Sequence, residues 1–176
     1  FLGLVLTRDP DDDTSAPDRL HGVGTAAKIV RKMNLPDGGL NLFISTITRF
    51  RIAKILDAGP PVVAAVQPLD DLNLDSDEVQ ALSRALLSEM KQVSENNPLF
   101  SEEMRLNMVN IDQPGKIADF LASILNTDRA QQQEILEQLD VRQRMEQVLV
   151  FIKREQELLK IQKRIQGELE EKISKS

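Results

Sequence analysis

The stretch VGTAAKIVRKMNLPDGGLNLFIST, residues 23–46, decides how the first part of this chain folds. Two runs rich in aliphatic and β-branched residues, Val23–Lys32 and Leu40–Thr46, flank the segment Asn34–Gly39. In that segment the proline fixes its own φ and the two glycines tolerate a positive φ. The stretch therefore predicts a β-hairpin.

The second strand of this hairpin alternates in character. Its aliphatic residues Leu40, Leu42 and Ile44 alternate with Asn41, Phe43 and Ser45. Successive side chains of a strand point to opposite faces of the sheet. The alternation predicts a core face for the three aliphatic residues and a mixed face that carries Phe43.

Short strands separated by Gly, Pro and Asp are predicted up to about Leu69. Phe1–Thr7 is a nearly unbroken apolar run with no turn before it, which predicts a strand buried on both faces, in a chain that starts inside a domain. Further strands are predicted at Phe50–Leu56 and Pro61–Gln67. Arg8–Leu20 is predicted to be a surface loop, because it is rich in Asp and Pro.

Beyond residue 69 the hydrophobic period changes to that of helices. Residues 70–77 have the composition of a linker, residues 78–140 predict a helical bundle, and residues 141–176 predict one long helix. Within the bundle, helices are predicted at 78–95, 102–111 and 114–125. Asp75, Asp128 and Asp140 each precede a Glu or Gln by three positions, which predicts capping boxes.

The last helix is unlike the others because its distal part is almost wholly charged or amidic. Its apolar positions beyond Lys153 form one narrow stripe: Leu158, Ile161, Ile165, Leu169 and Ile173. This surface is too small for the interior of a globule, so the helix is expected to project and to need a partner.

The composition indicates a folded, acidic chain. Its 176 residues, 41% of them hydrophobic, can supply the core of one or two small domains. The lack of cysteine fits a reducing compartment, and no apolar run approaches the ~18 residues that span a bilayer. A net charge of −6 disfavours nucleic acid as a partner. We therefore expect protein partners and a cytosolic location.

The residues of common catalytic sites are missing. Around the one Gly-Lys pair, Asn110 stands where a P-loop needs its first Gly and Ile117 where it needs Ser or Thr. His21 is the only histidine and there is no cysteine, so a strand-edge role for His21 is favoured over general-base catalysis. We predict no catalytic residue in this chain.

An acidic loop offers one weak metal-binding pattern. Asp9, Asp11 and Asp13 match the first three ligand positions of a calcium loop, but Thr14 replaces the required Gly and Leu20 the bidentate Glu. We predict a solvated loop and no metal or cofactor site.

Three stretches, in this order and spacing, form a family pattern. The first combines Val23–Ile29, Leu35–Gly39 and Arg49–Ile52; the second is Pro114–Ala122; the third runs from Gln133 through Met145 to Ile165. Their Val-Gly-Thr, Leu-Pro-Asp-Gly, Arg-x-Arg-Ile and Pro-Gly-Lys-Ile-Ala-Asp motifs resemble the N-terminal region of Lon-type ATP-dependent proteases.

The resemblance implies an α+β fold. It has a small, mostly β pseudo-barrel over residues 1–69, without the family's first strand and helix, and a helical bundle that ends in one long projecting helix. The implied role is a non-catalytic segment for substrate recognition and assembly. The AAA+ ATPase module, with its ATP and Mg²⁺, and the proteolytic Ser-Lys dyad of the family would follow residue 176.

The resemblance also implies partners. These are unfolded, damaged or tagged protein substrates, and further copies of the chain, as a homohexamer of the full-length protein or a dimer of the fragment. No nucleic acid and no membrane is implied. The bacterial cytoplasm is the expected location, ahead of the mitochondrial matrix.

The candidates for substrate contact are apolar residues that could stay in solvent: Met33 and Leu35 at the hairpin, Phe43 on the mixed strand face, and Leu99 and Phe100 just after Pro98. Ordinary core packing is the alternative for each. Met104 and Met108, one turn apart, fit an adaptable surface or a buried stripe equally well. For the helix stripe, Leu158, Ile161, Ile165 and Leu169 are expected to mediate assembly. Two other functions remain open: a stand-alone adaptor or chaperone, and a coiled-coil scaffold with a docking β-domain.

Overall fold

A computed structural model describes residues 1–12, 16–96 and 102–176 of the chain. It divides into two compact units, Phe1–Asp70 and Asp71–Ser176. The first unit is built from strands and the second from helices, so the α+β class predicted from the sequence is confirmed.

The first unit is one antiparallel sheet of four strands in the order β1-β2-β3-β4. The strands are β1 Leu2–Leu4, β2 Val23–Asn34, β3 Leu40–Asp57 and β4 Val63–Leu69. The predicted hairpin is confirmed, since β2 and β3 pair from Val23↔Arg51 to Asn34↔Leu40. The expectation of a pseudo-barrel needs correction, because in the described parts of the chain β1 and β4 do not pair and the sheet stays open.

Strand β3 is one element of 18 residues. The sequence predicted two strands here, Leu40–Thr46 and Phe50–Leu56, and that prediction was wrong. The intervening residues Ile47–Arg49 carry a β-bulge, a register shift opposite Ala26 and Ala27, rather than a turn. A bulge bends a strand without ending it, so β3 continues from its pairing with β2 into its pairing with β4.

The core of this unit is small. Its buried apolar side chains are Val23, Ala27, Phe50 and Leu69. Phe50 lies against Gly3 and Gly24, where an added Cβ would come within 3.0 Å of the ring atom Cζ. At Gly24 such a Cβ would also lie 2.5 Å from the carbonyl oxygen of Leu4. The glycine of the Val-Gly-Thr motif therefore makes room for the central aromatic ring.

Strand β1 is not buried on both faces as predicted. Only Leu2–Leu4 pair with β2, and Leu4 is 41% exposed while Phe1 is 95% exposed. An apolar run shows what a strand can bury, whereas burial needs a second layer of structure above it. No such layer covers β1 in the part of the unit that the structure describes.

The second unit contains five helices among the described residues. They are α1 Asp77–Asn96, α2 Glu102–Val109, α3 Pro114–Ile124, α4 Arg129–Glu137 and α5 Val141–Ser174. Their apolar stripes meet in one core, formed by Val79, Leu86, Met90, Ile117, Ala118, Leu121, Ala122, Ile135, Val141, Met145, Val148 and Ile152. The periodicity that predicted these helices is thus the periodicity of their buried faces.

The helix caps agree with the predictions in part. Asp128 accepts a hydrogen bond from the Gln131 amide at 2.8 Å and Gln131 accepts one from the Asp128 amide, which confirms that capping box. Asp140 accepts from the Gln143 amide at 3.1 Å. For α1 the predicted cap, Asp75, was wrong: the Ser76 hydroxyl accepts from the Val79 amide instead.

The segment after the β unit is held by the helices. Leu72 donates its amide to the Leu139 carbonyl at 2.9 Å and accepts from the Val141 amide at 3.0 Å. The Asn73 side chain donates to the Asp140 carboxylate. The hydrogen bond from the Gln143 amide, followed by that from Asn73, lowers the pKa of Asp140.

Arg144 is a fully buried cation at the start of α5. Its Nη2 lies 2.7 Å from Asp71 Oδ1, its Nε donates to the Gln138 carbonyl at 2.8 Å, and its Nη1 lies 3.6 Å from Asp119 Oδ1. Gly115 permits this arrangement, because an added Cβ there would lie 2.1 Å from Asp71 Oδ2. The Pro-Gly-Lys motif therefore has a packing role at its glycine.

Candidate functional site

A group of seven exposed apolar side chains lies on the far half of the β2–β3 hairpin. We call residues 28–48 the distal ribbon. Its exposed apolar residues are Val30, Met33, Leu40, Leu42, Phe43, Ile44 and Ile47, from 37% to 68% exposed. Clustered apolar surface of this kind is uncommon on a folded monomer and marks contact sites.

The turn of the ribbon is set by local hydrogen bonds. The Leu35 amide donates to the Gly39 carbonyl at 2.8 Å, and the Gly39 amide donates to Asp37 Oδ1 at 2.8 Å. Gly38 adopts a φ of 87°, which favours glycine. The Leu-Pro-Asp-Gly motif therefore fixes the register in which β2 faces β3.

That register distributes the apolar side chains over both faces. Phe43 is paired with Arg31, and Met33, two residues farther along β2, is paired with Asn41. Directly paired residues share a face, so Met33 and Phe43 are diagonal neighbours. Leu42 is paired with Lys32 and Leu40 with Asn34, and these side chains occupy the opposite face together with Ile44.

Two of the predicted contact residues are exposed here. Met33 is 38% and Phe43 50% exposed, so their alternative assignment to the core is contradicted. Leu35 is half-buried at the turn. The hairpin brings these three residues to one end of the sheet, and their contact with substrate stays a prediction.

The exposed aliphatic face was missed by the sequence analysis. Leu40, Leu42 and Ile44 were predicted to face the core, but they are 51%, 42% and 37% exposed. The alternation correctly placed them on one face of the strand. It could not show whether another layer of structure covers that face. Among the described residues, none does.

Four other candidates from the sequence analysis lie outside the ribbon. Leu99 and Phe100 fall outside the described residues. Met104 on α2 is 37% exposed, which agrees with a surface position, while the side chain of Met108 is outside the described set.

Cations accompany the apolar residues on the ribbon. Lys28, Arg31 and Lys32 lie on β2, and Asp37 in the turn is the only acidic residue between positions 28 and 48. The rest of the chain is acidic, since its total formal charge is −6. The ribbon therefore presents apolar side chains within a locally positive field.

A second apolar surface follows the distal part of α5. Leu158, Ile161, Ile165, Leu169 and Ile173 are each between 36% and 73% exposed. The proximal part of the helix is anchored by its buried face, and by Lys153 and Gln156, which donate hydrogen bonds to Glu89. These bonds, Lys153 first, lower the pKa of Glu89.

An open cavity of about 390 Å³ lies beside α5. It is lined by Asn126, Thr127, Asp128, Gln131, Phe151, Arg154, Glu155 and Leu158. Asp128 and Gln131 are already engaged in the α4 capping box.

The residues that the sequence analysis weighed for catalysis and metal binding are His21 and the acidic loop. His21, two residues before β2, donates its backbone amide to the Leu6 carbonyl at 2.9 Å. In the acidic loop Asp9 accepts from the Asp11 amide, and Asp12 pairs with Arg19, which raises the pKa of that guanidinium. Asp13 and Thr14 lie outside the described residues. Within the described set no three acidic or histidine side chains are arranged for a metal ion. None of the described helices contains an apolar stretch of membrane-spanning length.

Comparison with solved structures identifies the fold. The chain resembles the N-terminal domain of a Mycobacterium avium complex Lon protease with a TM-score of 0.67 at 20% identity, covering 77% of this chain and 72% of that one. The Lon N-terminal domain protein from Xanthomonas campestris gives a TM-score of 0.54 at 20% identity, with coverages of 85% and 75%.

Sequence relatives extend the likeness beyond the fold. The Lon protease of Treponema pallidum is 57% identical over 178 residues, and that of Leptospira interrogans is 38% identical over 175. These matches cover 100% and 99% of this chain but 20% and 21% of the relatives, so the chain spans about a fifth of their length. Residues 1–154 match the ATP-dependent protease La (LON) substrate-binding domain, and the chain therefore belongs to that family.

Proposed function

We propose that this chain captures protein substrates for a Lon protease through the distal ribbon. In this proposal Met33, Leu35 and Phe43 hold apolar segments of unfolded, damaged or tagged proteins. An ATPase and protease ring elsewhere in the full-length protein then pulls on and cleaves the substrate. The exposure of apolar side chains at one end of the sheet is the observation that carries the proposal.

Unfolded proteins differ from folded ones in the apolar area that they expose. An apolar surface held by a rigid hairpin can distinguish the two without reading a particular sequence. Burial of a half-exposed Phe or Met against a substrate is favourable by roughly 1 kcal/mol each. One ribbon is therefore a weak binder, and we expect tight capture to require several copies acting together.

We propose that the distal part of α5 supports this multivalency. Its exposed residues Leu158, Ile161, Ile165 and Leu169 form a stripe with the spacing that helices use to pack on one another. Self-association along this stripe, as a homohexamer of the full-length protein or a dimer of the fragment, would bring several ribbons within reach of one substrate. The bacterial cytoplasm is the proposed location.

Two alternatives make different predictions. A stand-alone adaptor or chaperone would hold substrates without any attached protease. A coiled-coil scaffold would form stable oligomers from residues 141–176 alone, and its β unit would not prefer unfolded proteins. Titration of the chain with one protein in folded and chemically unfolded forms separates the scaffold from the capture function.

The test of capture compares two sets of substitutions in the same sheet. One variant carries Met33→Glu, Leu35→Glu and Phe43→Glu. The control carries Leu56→Glu, near the end of β3, and Val63→Glu, on β4 opposite Asp57; these positions are 60% and 45% exposed. Capture predicts that the wild type and the control bind the unfolded form selectively, and that the ribbon variant binds it at least about tenfold more weakly. Equal binding by both variants would refute the role of the ribbon.

A further inference from the structure

Three residues that follow the β unit are fixed to the start of α5. We call them the strap: Asp71, Leu72 and Asn73. The Leu72 amide donates to the Leu139 carbonyl at 2.9 Å, and the Leu72 carbonyl accepts from the Val141 amide at 3.0 Å. These bonds form an isolated parallel bridge between Leu72 and Asp140. The chain is therefore bound to α5 before it enters α1, which begins at Asp77.

The side chains on either side of the bridge bind the same helix end. Asp71 Oδ1 lies 2.7 Å from Nη2 of the fully buried Arg144. Burial excludes water from this guanidinium, which strengthens its attraction to the carboxylate. Asn73 donates a hydrogen bond to the carboxylate of Asp140, the N-cap of α5. Each strap residue is therefore bonded to the short segment 139–144.

One residue connects the strap to the β unit. Leu69, the last residue of β4, pairs with Arg49 and is buried. Only Asp70 lies between Leu69 and the strap. Tension applied to the β unit therefore reaches the strap through Asp70, before it reaches any of the helices α1–α4.

The direction of the chain at the bridge determines how such tension loads it. The β unit precedes the strap, whereas the rest of α5 follows Asp140. In a parallel pair, a pull on the beginning of one segment and on the end of the other slides the two segments along each other. The bridge bonds and the flanking side-chain contacts then share the load, because none of them can open first like the end of a zipper.

We propose that the strap is a mechanical clamp that passes tension from the β unit directly to the start of α5, so that α1–α4 carry less of it. This inference rests on the proposed function, in which the ribbon holds a substrate that an ATPase ring pulls. It adds the route by which the opposing force leaves the β unit. The resemblance to Lon proteases implies that the ATPase module follows residue 176, and the force would then leave this chain along α5.

The test measures unfolding at constant force in optical tweezers, on the full 176-residue chain. The sequence contains no cysteine, so two introduced cysteines attach the handles. Handles at Phe1→Cys and Ser176→Cys load the strap from the β unit. Handles at Glu103→Cys, an exposed position on α2, and at Ser176→Cys load the helical core without first loading the strap. The length of chain released identifies the step in which the helical unit unfolds.

Two variants weaken the clamp. Asp71→Ala removes the ion pair with Arg144. Asn73→Gly removes the side-chain bond to Asp140 and keeps the φ of 58°, because glycine adopts a positive φ readily. Asn73→Gly also carries the test by itself if Asp71→Ala does not fold. Leu86→Ala is the control, since Leu86 is fully buried in the helical core and lies in the middle of α1.

The clamp predicts an effect that depends on where the force is applied. With handles at positions 1 and 176, Asp71→Ala should raise the unfolding rate of the helical unit at least about tenfold, and Asn73→Gly about threefold. For each strap variant this factor should be at least about three times larger than with handles at positions 103 and 176. Leu86→Ala should raise the rate by similar factors in both arrangements, because it weakens the core itself.

Equal factors in the two arrangements for the strap variants would overturn the clamp, and the strap would then only stabilise the fold. Capture of unfolded protein by the ribbon would be unaffected by that result, because the titration that tests it applies no force. Failure of the titration with a positive result under force would overturn the proposed function and with it the role of the clamp in substrate pulling.

Discussion

Substitution of Gly115 by alanine tests the packing around the buried Arg144. The added Cβ would lie 2.1 Å from Asp71 Oδ2 and 3.2 Å from Arg144 Nη1, whereas ordinary contacts begin at 3.4 Å. The Asp71 carboxylate must therefore move by more than an ångström. Its other oxygen lies 2.7 Å from Arg144 Nη2, so this movement breaks the ion pair.

The magnitude follows from burial. Removing one partner of a buried ion pair costs about 3–5 kcal/mol. Arg144 is fully buried but the Asp71 side chain is 26% exposed, which reduces the expected cost to about 2–3 kcal/mol. Alanine gains up to about 1 kcal/mol over glycine as a helix former. Gly115→Ala is therefore expected to lower the free energy of unfolding by about 1–2 kcal/mol.

Urea unfolding followed by circular dichroism at 222 nm measures this change, because that signal reports the helical unit. Gly167→Ala is the matched control, since Gly167 lies within α5 and an added Cβ meets nothing within 4 Å. The control is expected to gain about 0.5–1 kcal/mol. In the background Asp71→Ala, Gly115→Ala should lose most of its cost. A Gly115→Ala variant as stable as the Gly167→Ala variant would refute the reasoning.

Three further outcomes are expected. Gly24→Ala should destabilise the β unit by about 1–3 kcal/mol. Gly22→Ala is the control and should not destabilise it, because an added Cβ there meets nothing within 4 Å. Equal melting temperatures of the two variants would contradict this. The lowered pKa of Asp140 stabilises the folded state at pH values above its unfolded pKa, about 3.9, and this contribution is lost as pH falls through the folded pKa. Asp140→Asn should therefore flatten the acid limb of a stability–pH profile below about pH 4, and an unchanged limb would count against it. Ile165→Glu with Leu169→Glu should leave the unfolding free energy within about 0.5 kcal/mol but weaken self-association in sedimentation experiments, and undiminished oligomers would remove the assembly role of the stripe.

Helices, caps and turns could be predicted from the sequence where residues close together in the chain determine them. The Leu-Pro-Asp-Gly turn, the Asp128 capping box and the periodic apolar faces of α1, α3 and α5 each follow from residues close together in the chain. The division of β3 into two strands failed, although Ile47, Thr48 and Arg49 between them include no turn-forming residue. The bulge there bends the strand without ending it, and a bulge depends on the pairing partner across the sheet.

Burial in the β unit could not be predicted in the same way. The alternation placed Leu40, Leu42 and Ile44 on one face, but whether a face is covered depends on elements distant in sequence. The same limit applies to Arg144, whose partners Asp71 and Asp119 lie far away in the chain. Met33 was found as a candidate because it lies at the hairpin turn, where side chains often remain in solvent. Phe43 was found because it lies on the mixed face of its strand.

Contact between the ribbon and unfolded protein is the central claim, and site-specific photo-crosslinking tests it most directly. A photoreactive amino acid at position 43 is compared with the same amino acid at position 56, both exposed sites on β3. Each variant is irradiated with one protein in its folded and its unfolded form. Capture by the ribbon predicts crosslinks from position 43 to the unfolded form and few from position 56. Crosslinks of equal yield at both positions, or to both forms, would contradict it.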